Sequence, residues 1–398
     1  MLAPPAGPEV ITLGCRLNIA ESENIRGLLG SRDVVVVNSC AVTNDAVRAT
    51  RAAIRKARRA RPHAELVVTG CAATIDPAGF GAMAEVDRVV GNMTKLDPAS
   101  WGALELPVVA FTGHARAFVE VQNGCDHRCT FCAIPYGRGP SRSVPAGAVV
   151  ERINALVAAG HREVVLTGVD VTSYGGDLPG APGFGSLVER ILTHTNVERL
   201  RLSSLDSIEI DARLFELLTG EARVMPHVHV SLQAGDDMIL KRMKRRHLRG
   251  DAVRIVERLK TARPDIAIGA DLIAGFPTED DAMFANTLAI IDDCDVVHPH
   301  IFPFSPREGT PAARMPQVAR DVIKERAARL RAAGEARRQR WLATLVGSEQ
   351  AVLVERPGDR GHAESFAEIR LEHSARAGDV VRAKVTEIRD GMAIGIIA

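Results

Sequence analysis

Strand-like apolar runs alternate with helical stretches from Val10 to Phe302, and that alternation permits few architectures. A strand, a helix and a second strand build a parallel sheet with helices on its faces. Four runs open the chain, Val10 to Leu13, Asp33 to Val37, Glu65 to Thr69 and Arg88 to Val90, and predict an open parallel α/β sheet. Six more follow, near Ala117 to Val121, Glu163 to Thr167, Arg199 to Ser203, His227 to Leu232, Ile266 to Ile273 and Asp295 to Phe302. Helical patterns intervene, among them Ala148 to Ala159, Phe184 to His194, Ala212 to Leu218, Ala252 to Thr261 and Asp280 to Asp292. Repeated units of this kind predict a partial (β/α)6 barrel, open on one side, with its chemistry at the carboxyl ends of the strands. A long arginine-rich helix runs from Asp321 toward Trp341 and Leu345. The tail from Gly347 then changes to short strands, Gln350 to Val354 and Val380 to Thr386, with turns at Pro357-Gly358-Asp359 and Asp390-Gly391. That tail predicts a small β-barrel of the kind that often binds RNA.

Cysteines punctuate this frame. Cys125, Cys129 and Cys132 stand in the run Gln122-Asn123-Gly124-Cys125-Asp126-His127-Arg128-Cys129-Thr130-Phe131-Cys132, just after a strand. Three thiolates on one turn hold three corners of a cubane iron-sulfur cluster and leave the fourth iron open to a substrate or cofactor. Zinc is the alternative. A structural zinc site closes its shell with four ligands, usually two short-spaced pairs, and here only His127 inside the loop offers itself as the fourth. Cys15, Cys40 and Cys71 each follow within a few residues of the end of one of the first three strands. The carboxyl ends of parallel strands share one edge, where ligands bind, so these three should converge. A lone free cysteine is most simply a small packing residue, and Cys294 is read that way. Recurrence at one topological position three times favours a second cluster with an open iron.

A chain of 398 residues has room for two or three domains with their own cores. No apolar stretch approaches the ~18 residues that span a bilayer. The opening Met1-Leu2-Ala3-Pro4-Pro5 lacks the basic head and apolar centre of a secretory signal. A cytoplasmic location is therefore expected, where cysteines serve metals or catalysis rather than disulfides. The net charge of +1 hides two basic runs: Arg48, Arg51, Arg55, Lys56, Arg58, Arg59 and Arg61, then Lys241, Arg242, Lys244, Arg245, Arg246 and Arg249. Set just beyond predicted cluster or cofactor loops, they suit a polyanion, with ordinary solvated faces as the plain alternative. Aromatic residues make up 4% of the chain, so any platform for stacked RNA bases is small.

The run around Cys125, with Phe131 just before the third cysteine, resembles the signature of the radical S-adenosylmethionine enzymes. In that family the open iron chelates the amino and carboxylate groups of S-adenosylmethionine, and one electron cleaves it to methionine and a 5′-deoxyadenosyl radical. The wider set of motifs is similar to the methylthiotransferases. It comprises Thr12-Leu13-Gly14-Cys15-Arg16-Leu17-Asn18 with Glu21-Ser22-Glu23, Asn38-Ser39-Cys40-Ala41-Val42-Thr43, and Thr69-Gly70-Cys71. Ser231-Leu232-Gln233-Ala234-Gly235, Leu240-Lys241-Arg242-Met243, Phe302-Pro303-Phe304-Ser305 and Arg307-Glu308-Gly309-Thr310 complete it. Within the family the likeness is to the members acting on threonylcarbamoyladenosine in tRNA. It covers almost the whole chain, although the interval from Cys15 to Cys40 is shorter than the family pattern.

The resemblance implies an auxiliary-cluster domain over 1–106, a radical S-adenosylmethionine domain over 111–340 and a TRAM β-barrel over 343–398, with a linker from Pro107 to Arg116. It implies addition of a methylthio group to carbon 2 of N6-threonylcarbamoyladenosine next to the anticodon. One S-adenosylmethionine at the Cys125, Cys129 and Cys132 cluster supplies the radical and another the methyl group. Sulfur is bound at, or drawn from, a cluster on Cys15, Cys40 and Cys71. A ring C–H has no useful acidity, so a radical must remove the hydrogen before a nearby sulfur takes its place, and both clusters must face one cavity. The expected cofactors are two [4Fe-4S] clusters and S-adenosylmethionine. Gly168, Ser204, Gln233 and Gly275, at strand ends, are the expected S-adenosylmethionine contacts, while Tyr136 and Arg138 stand beside the loop as candidates to touch cofactor or substrate. The expected partners are the anticodon stem-loop of tRNA and a reducing electron donor such as flavodoxin or ferredoxin, with no membrane. Isopentenyladenosine in tRNA and an aspartate of a ribosomal protein are the alternative substrates within the family. A non-catalytic iron-sulfur protein that binds RNA or senses redox state is the alternative outside it.

Overall fold

The computed structural model describes residues 7–104, 111 and 113–398; the opening pentapeptide and half of the expected linker, 107–110 and 112, lie outside the described residues. Strands β1 (Glu9–Thr12), β2 (Val34–Ser39), β3 (Glu65–Gly70) and β4 (Arg88–Val89) form a sheet in chain order with every neighbouring pair parallel. Every residue of β2 is buried, which is why its four valines run continuously instead of alternating with polar residues. Helix α1 (Arg16–Leu29) covers one face, packing Ile25, Leu28 and Leu29 against Val34 and Val36. Helix α2 (Asn44–Ala60) covers the other, packing Ile54 and Ala57 against Val35 and Val37, and is capped by the Thr43 hydroxyl, which accepts from the Ala46 N–H. One helix thus fills the short interval between Cys15 and Cys40. The parallel order brings the ends of β1, β2 and β3 to one edge. Cys15 and Cys40 follow the first two, and Cys71 opens α3 (Cys71–Ile75) directly after the third.

Six strands of the central segment form two parallel sheets of three. β5 (Arg116–Glu120), β6 (Glu163–Thr167) and β7 (Arg199–Leu202) form one; β8 (His227–Gln233), β9 (Ala267–Ala274) and β10 (Val296–Pro303) form the other. Parallel bridges from Leu200 to Val224 and from Leu205 to Val230 join them. Helices α4 (Ile134–Arg138), α5 (Ala146–Ala158), α6 (Phe184–His194), α7 (Ala212–Gly220), α8 (Asp237–Arg242), α9 (Arg249–Ala262) and α10 (Asp281–Asp293) fall between the strands. Their apolar faces enclose one core in which Cys294 is fully buried beside Ile290 and Val296. This is a partial barrel of six strand-plus-helix units.

Helix α11 (Arg320–Thr344) leads into a closed five-stranded barrel of β11 (Glu349–Glu355), β12 (Arg360–His362), β13 (Glu368–Leu371), β14 (Val380–Arg389) and β15 (Met392–Ile397). It docks at the amino ends of the central strands. Arg199 Nη1 donates to the Ala351 carbonyl at 2.9 Å and Arg201 Nη1 to that of Glu364 at 3.1 Å. The Phe366 ring lies against the guanidinium groups of Arg201 and Arg116, 4.8 and 5.3 Å from its centre. Glu163, fully buried, takes Arg116 Nε and Arg199 Nε at 2.9 Å and Arg201 Nε at 3.1 Å. Burial pushes its carboxyl up, but Arg201 and Arg116 hold it far below the usual carboxylate range. With that end closed, the carboxyl ends of the strands remain for chemistry. Among the described residues no helix is long and apolar enough to cross a membrane.

Candidate cluster and cofactor site

The Cys125 loop is shaped by its neighbours before any metal is considered. Gly124 has φ +74°, and a Cβ there would stand 1.9 Å from the Pro140 carbonyl oxygen, so no other residue fits. Thr130 ties the loop to the end of α8, its N–H donating to the Met243 carbonyl at 3.1 Å and its hydroxyl to that of Arg242 at 2.8 Å. Gln122 clamps the loop to the end of β6. Its Nε2 donates to the Gly124 carbonyl at 2.8 Å, and its Oε1 accepts from the N–H groups of Val169 and Asp170 at 3.0 and 2.9 Å. Two donors point at sulfur: the Ile134 N–H reaches Cys132 Sγ at 3.4 Å and Arg245 Nη1 reaches Cys129 Sγ at 3.8 Å. Burial pushes the Cys125 thiol up to about 11 and the Cys132 thiol up to about 12. As bare thiols they hold their protons at neutral pH, and a bound metal displaces those protons.

The sulfur spacing separates one ion from a cluster. A single tetrahedral zinc with bonds of about 2.3 Å gathers its sulfurs to within roughly 4 Å of one another. Among the described residues, the ligand groups gathered within 4.8 Å are Cys125, His127 and Asp170, and His229, Asp271 and His300; neither cysteine triad is one of them. His127 is committed elsewhere, its Nε2 2.7 Å from Asp170 Oδ2, and the hydrogen bond to Asp170 raises its pKa. Asp170 is held in turn by the hydroxyls of Ser173 at 2.7 Å and Thr172 at 3.1 Å. Cys125, Cys129 and Cys132 are therefore not gathered as the ligands of one zinc ion would be.

The second triad forms where the strand edge meets the central segment. Gly14, with φ +98°, lies so close to Cys40 that a Cβ would stand 2.8 Å from its Cβ and 2.9 Å from its Sγ. Burial raises the pKa of Cys40, and the neighbouring Cys15 and Cys71 thiols raise it further. A Cβ on Gly137 would stand 3.2 Å from the Cβ of Cys71, so α4, just past the first triad, abuts the second. Asn92 Nδ2 bridges the contact, reaching Cys71 Sγ at 3.5 Å and the Gly137 carbonyl at 2.5 Å.

Cys15 and Cys40 line a cavity of about 500 Å³ together with Gly168 and Ser204. An adjoining cavity of about 360 Å³ is lined by Cys15, Gly168, Gln233 and Phe131. Three of the four strand-end residues are therefore brought to the second triad. Gly275 is not, because its bare Cα accommodates α11: a Cβ there would meet Ile323 Cγ1 at 2.5 Å, and its N–H donates to Glu279 Oε1 at 3.0 Å. Tyr136, 60% exposed, lines a separate cleft of about 660 Å³ with Ala72 and Arg307, and no cysteine lines that cleft.

Arg138 borders the smaller cavity, but its guanidinium is buried and engaged. It donates to Glu21 Oε1 at 2.8 Å, Glu21 Oε2 at 3.1 Å, Asn18 Oδ1 at 2.6 Å and Asn123 Oδ1 at 2.9 Å. Fully buried Lys95 meets Glu21 from the other side. This network locks α1, which begins beside Cys15, to the Cys125 loop. Many of the basic residues are spent in a similar way. Arg51 pairs with Asp76 at 3.1 Å, Arg58 and Arg61 with Asp87 and Asp33, Arg246 with Glu209 at 2.7 Å, and Arg249 with Asp293. The group His229, Asp271 and His300 had a signal in the chain: histidines two apart, His227 with His229 and His298 with His300, share a strand face.

Comparison with known proteins follows the same division. A model of the radical SAM superfamily matches residues 119–291, and one of an uncharacterized protein family, UPF0004, matches residues 9–91. The chain is 45% identical to the threonylcarbamoyladenosine tRNA methylthiotransferase MtaB of Rickettsia prowazekii, over 96% of each chain. It is 34% identical to the protein of that name from Chlamydia pneumoniae, over 91% of this chain and 90% of the other. It is 32% identical to a tRNA-2-methylthio-N(6)-dimethylallyladenosine synthase of Cereibacter sphaeroides, over 94% of each. Among solved structures it is similar to the radical S-adenosylmethionine methyltransferase TsrM of Kitasatospora setae, with a TM-score of 0.52 over 71% of this chain and 66% of that chain, a likeness of fold alone at 17% identity.

Proposed function

The chain belongs to the methylthiotransferase family of radical S-adenosylmethionine enzymes, and on that premise we propose that it adds a methylthio group to carbon 2 of N6-threonylcarbamoyladenosine beside the anticodon of tRNA. The observation that carries this reading is one cavity lined by Cys15 and Cys40 together with Gly168 and Ser204. A reduced [4Fe-4S] cluster held by Cys125, Cys129 and Cys132 supplies, when bound, the electron that cleaves S-adenosylmethionine to a 5′-deoxyadenosyl radical. Cys15, Cys40 and Cys71 would hold a second [4Fe-4S] cluster, which would supply a seat for the sulfur. The chain's own residues do the placing. Gly124 and Gln122 set the loop, Arg245 and the Ile134 N–H donate toward the sulfurs, and Gly168, Ser204 and Gln233 line the space for S-adenosylmethionine.

This reading divides the chain into a domain for the second cluster over 1–106, a radical domain over 111–340 and an RNA-gripping barrel over 343–398. Lys241 and Lys244, exposed and without an ion pair among the described residues, are the groups of the second basic run available to tRNA phosphates. The electron comes from a reducing donor such as flavodoxin or ferredoxin in the cytoplasm.

Mass spectrometry of tRNA nucleosides from a strain lacking this gene tests the substrate. The methylthio form of threonylcarbamoyladenosine is expected to disappear and to return on complementation; its persistence overturns the reading. A backbone change tests the loop. Gly124→Ala must move the Pro140 carbonyl or the loop itself, so cluster-bound iron is expected to fall from about eight to about four per chain, with loss of 5′-deoxyadenosine formation. Unaltered iron would show that the loop tolerates the added methyl group.

A further inference from the structure

The residue after Cys15 carries charge into the same cavity. Arg16 opens α1, is half-buried and lines the 500 Å³ cavity with Cys15, Cys40, His229, Asp271 and His300. Among the described residues it makes no ion pair and no hydrogen bond; its guanidinium carbon stands 5.5 Å from the centre of the Phe366 ring. A half-buried guanidinium with no acceptor in the protein has its donors free for a ligand that supplies a carboxylate.

The nearby carboxylates are already engaged. Glu163 is taken by Arg116, Arg199 and Arg201. Asp271 Oδ1 holds His229 Nε2 at 3.0 Å and His300 Nδ1 at 3.2 Å. Arg116 also pairs with Glu355 at 2.6 Å, so Arg16 is the guanidinium of this set left without a carboxylate among the described residues. A metal cation at His229, Asp271 and His300 would have to displace both of those hydrogen bonds in the field of Arg16 and its neighbouring arginines, whereas an anion adds to the arrangement as it stands.

We propose that Arg16 binds the free carboxylate of the threonylcarbamoyl substituent and so reads the modification on the substrate base. The assignment rests on the substrate reading above. In the purine ring, carbon 2 and the carbon bearing N6 both flank N1, so the substituent and the position that receives sulfur share one edge of the base. A residue that takes the substituent should therefore share a cavity with the sulfur site, and Arg16 lines the cavity that Cys15 and Cys40 also line. The cavity has the size of a small-molecule pocket.

The test compares two anticodon stem-loop RNAs in anaerobic turnover with the reconstituted full chain, S-adenosylmethionine and dithionite. One carries threonylcarbamoyladenosine and the other its primary carboxamide, which keeps the shape and removes the charge. The readout is the ratio of their kcat/KM values for methylthio product, so a general loss of cluster or fold cancels. The unsubstituted protein is expected to prefer the carboxylate roughly 10- to 100-fold, the range of a charged hydrogen bond. Arg16→Gln is expected to bring the ratio close to one, and Arg16→Lys to keep part of it. A ratio unchanged in Arg16→Gln overturns the assignment, as does an unsubstituted protein that treats the two RNAs alike. If the unsubstituted protein modifies neither RNA but does modify an isopentenyladenosine stem-loop, the substrate reading itself falls and takes the assignment with it.

Discussion

Replacing Cys15, Cys40 and Cys71 together by alanine is expected to separate two activities: 5′-deoxyadenosine still forms, while methylthio product falls by at least about a thousandfold, or roughly 4 kcal/mol of barrier. The anchors of the other triad explain why the first activity survives. Gly124, Gln122 and Thr130 fix the Cys125 loop through Pro140, Val169, Asp170, Met243 and Arg242, and none of these belongs to the amino-terminal sheet. The three replaced side chains are small and sit at strand ends, so the sheet loses little packing. Anaerobic reconstitution with iron and sulfide, followed by iron analysis and single-turnover product analysis, gives both readings. Iron is expected near four per chain in the variant against eight in the parent, four for each cubane. Iron unchanged at eight would remove these cysteines from the ligand set. Iron of four with no 5′-deoxyadenosine would mean that the second triad also holds the radical site in shape, a role the contact of Gly137 with Cys71 would then explain.

What the chain disclosed beforehand follows from the range of each interaction. The strands were legible because their apolar runs are local, and β6 spans Glu163–Thr167 just as its run predicts. The places of the cysteines in the fold were legible too: three share one loop, and the other three follow the ends of three parallel strands. Arg138 was not. Its partners Asn18 and Glu21 lie 120 and 117 residues away, so adjacency to the cysteine loop pointed to cofactor or substrate while the fold spends the guanidinium on joining two segments. Gly275 fails for a related reason. A glycine at a strand end admits either a ligand or a helix, and here α11 supplies Ile323. The basic runs mislead because a count of charges omits the acids that topology brings opposite them, as Asp76 and Asp87 are brought to α2.

The buried network around Glu21 carries the largest expected effect on stability. Glu21→Gln leaves Arg138 and Lys95, both fully buried, facing an amide in place of a carboxylate, and removing one partner of a buried ionic group costs about 3–5 kcal/mol. Urea unfolding should show that loss as a lower midpoint with little change in slope. Its pH dependence has a definite sign. Burial pushes the Glu21 carboxyl up, but Lys95 and Arg138 outweigh it and hold the group down to about 2, against about 4.5 when unfolded. A depressed carboxyl contributes its full stability above the unfolded value and loses it as the pH falls toward the folded one. The gap between parent and Glu21→Gln should therefore be widest above about pH 5 and shrink steadily from there to about pH 3. A gap that stays constant over that interval would mean that Glu21 acts through shape rather than charge. Function should follow stability here, because the same carboxylate joins α1, which begins at Arg16 beside Cys15, to Asn123 and Arg138 on either side of the Cys125 loop. With that tie cut, α1 and the Cys125 loop lose their fixed relation, so methylthio product is expected to fall further than 5′-deoxyadenosine in the folded variant. An equal fall in both would place the damage in the Cys125 loop alone.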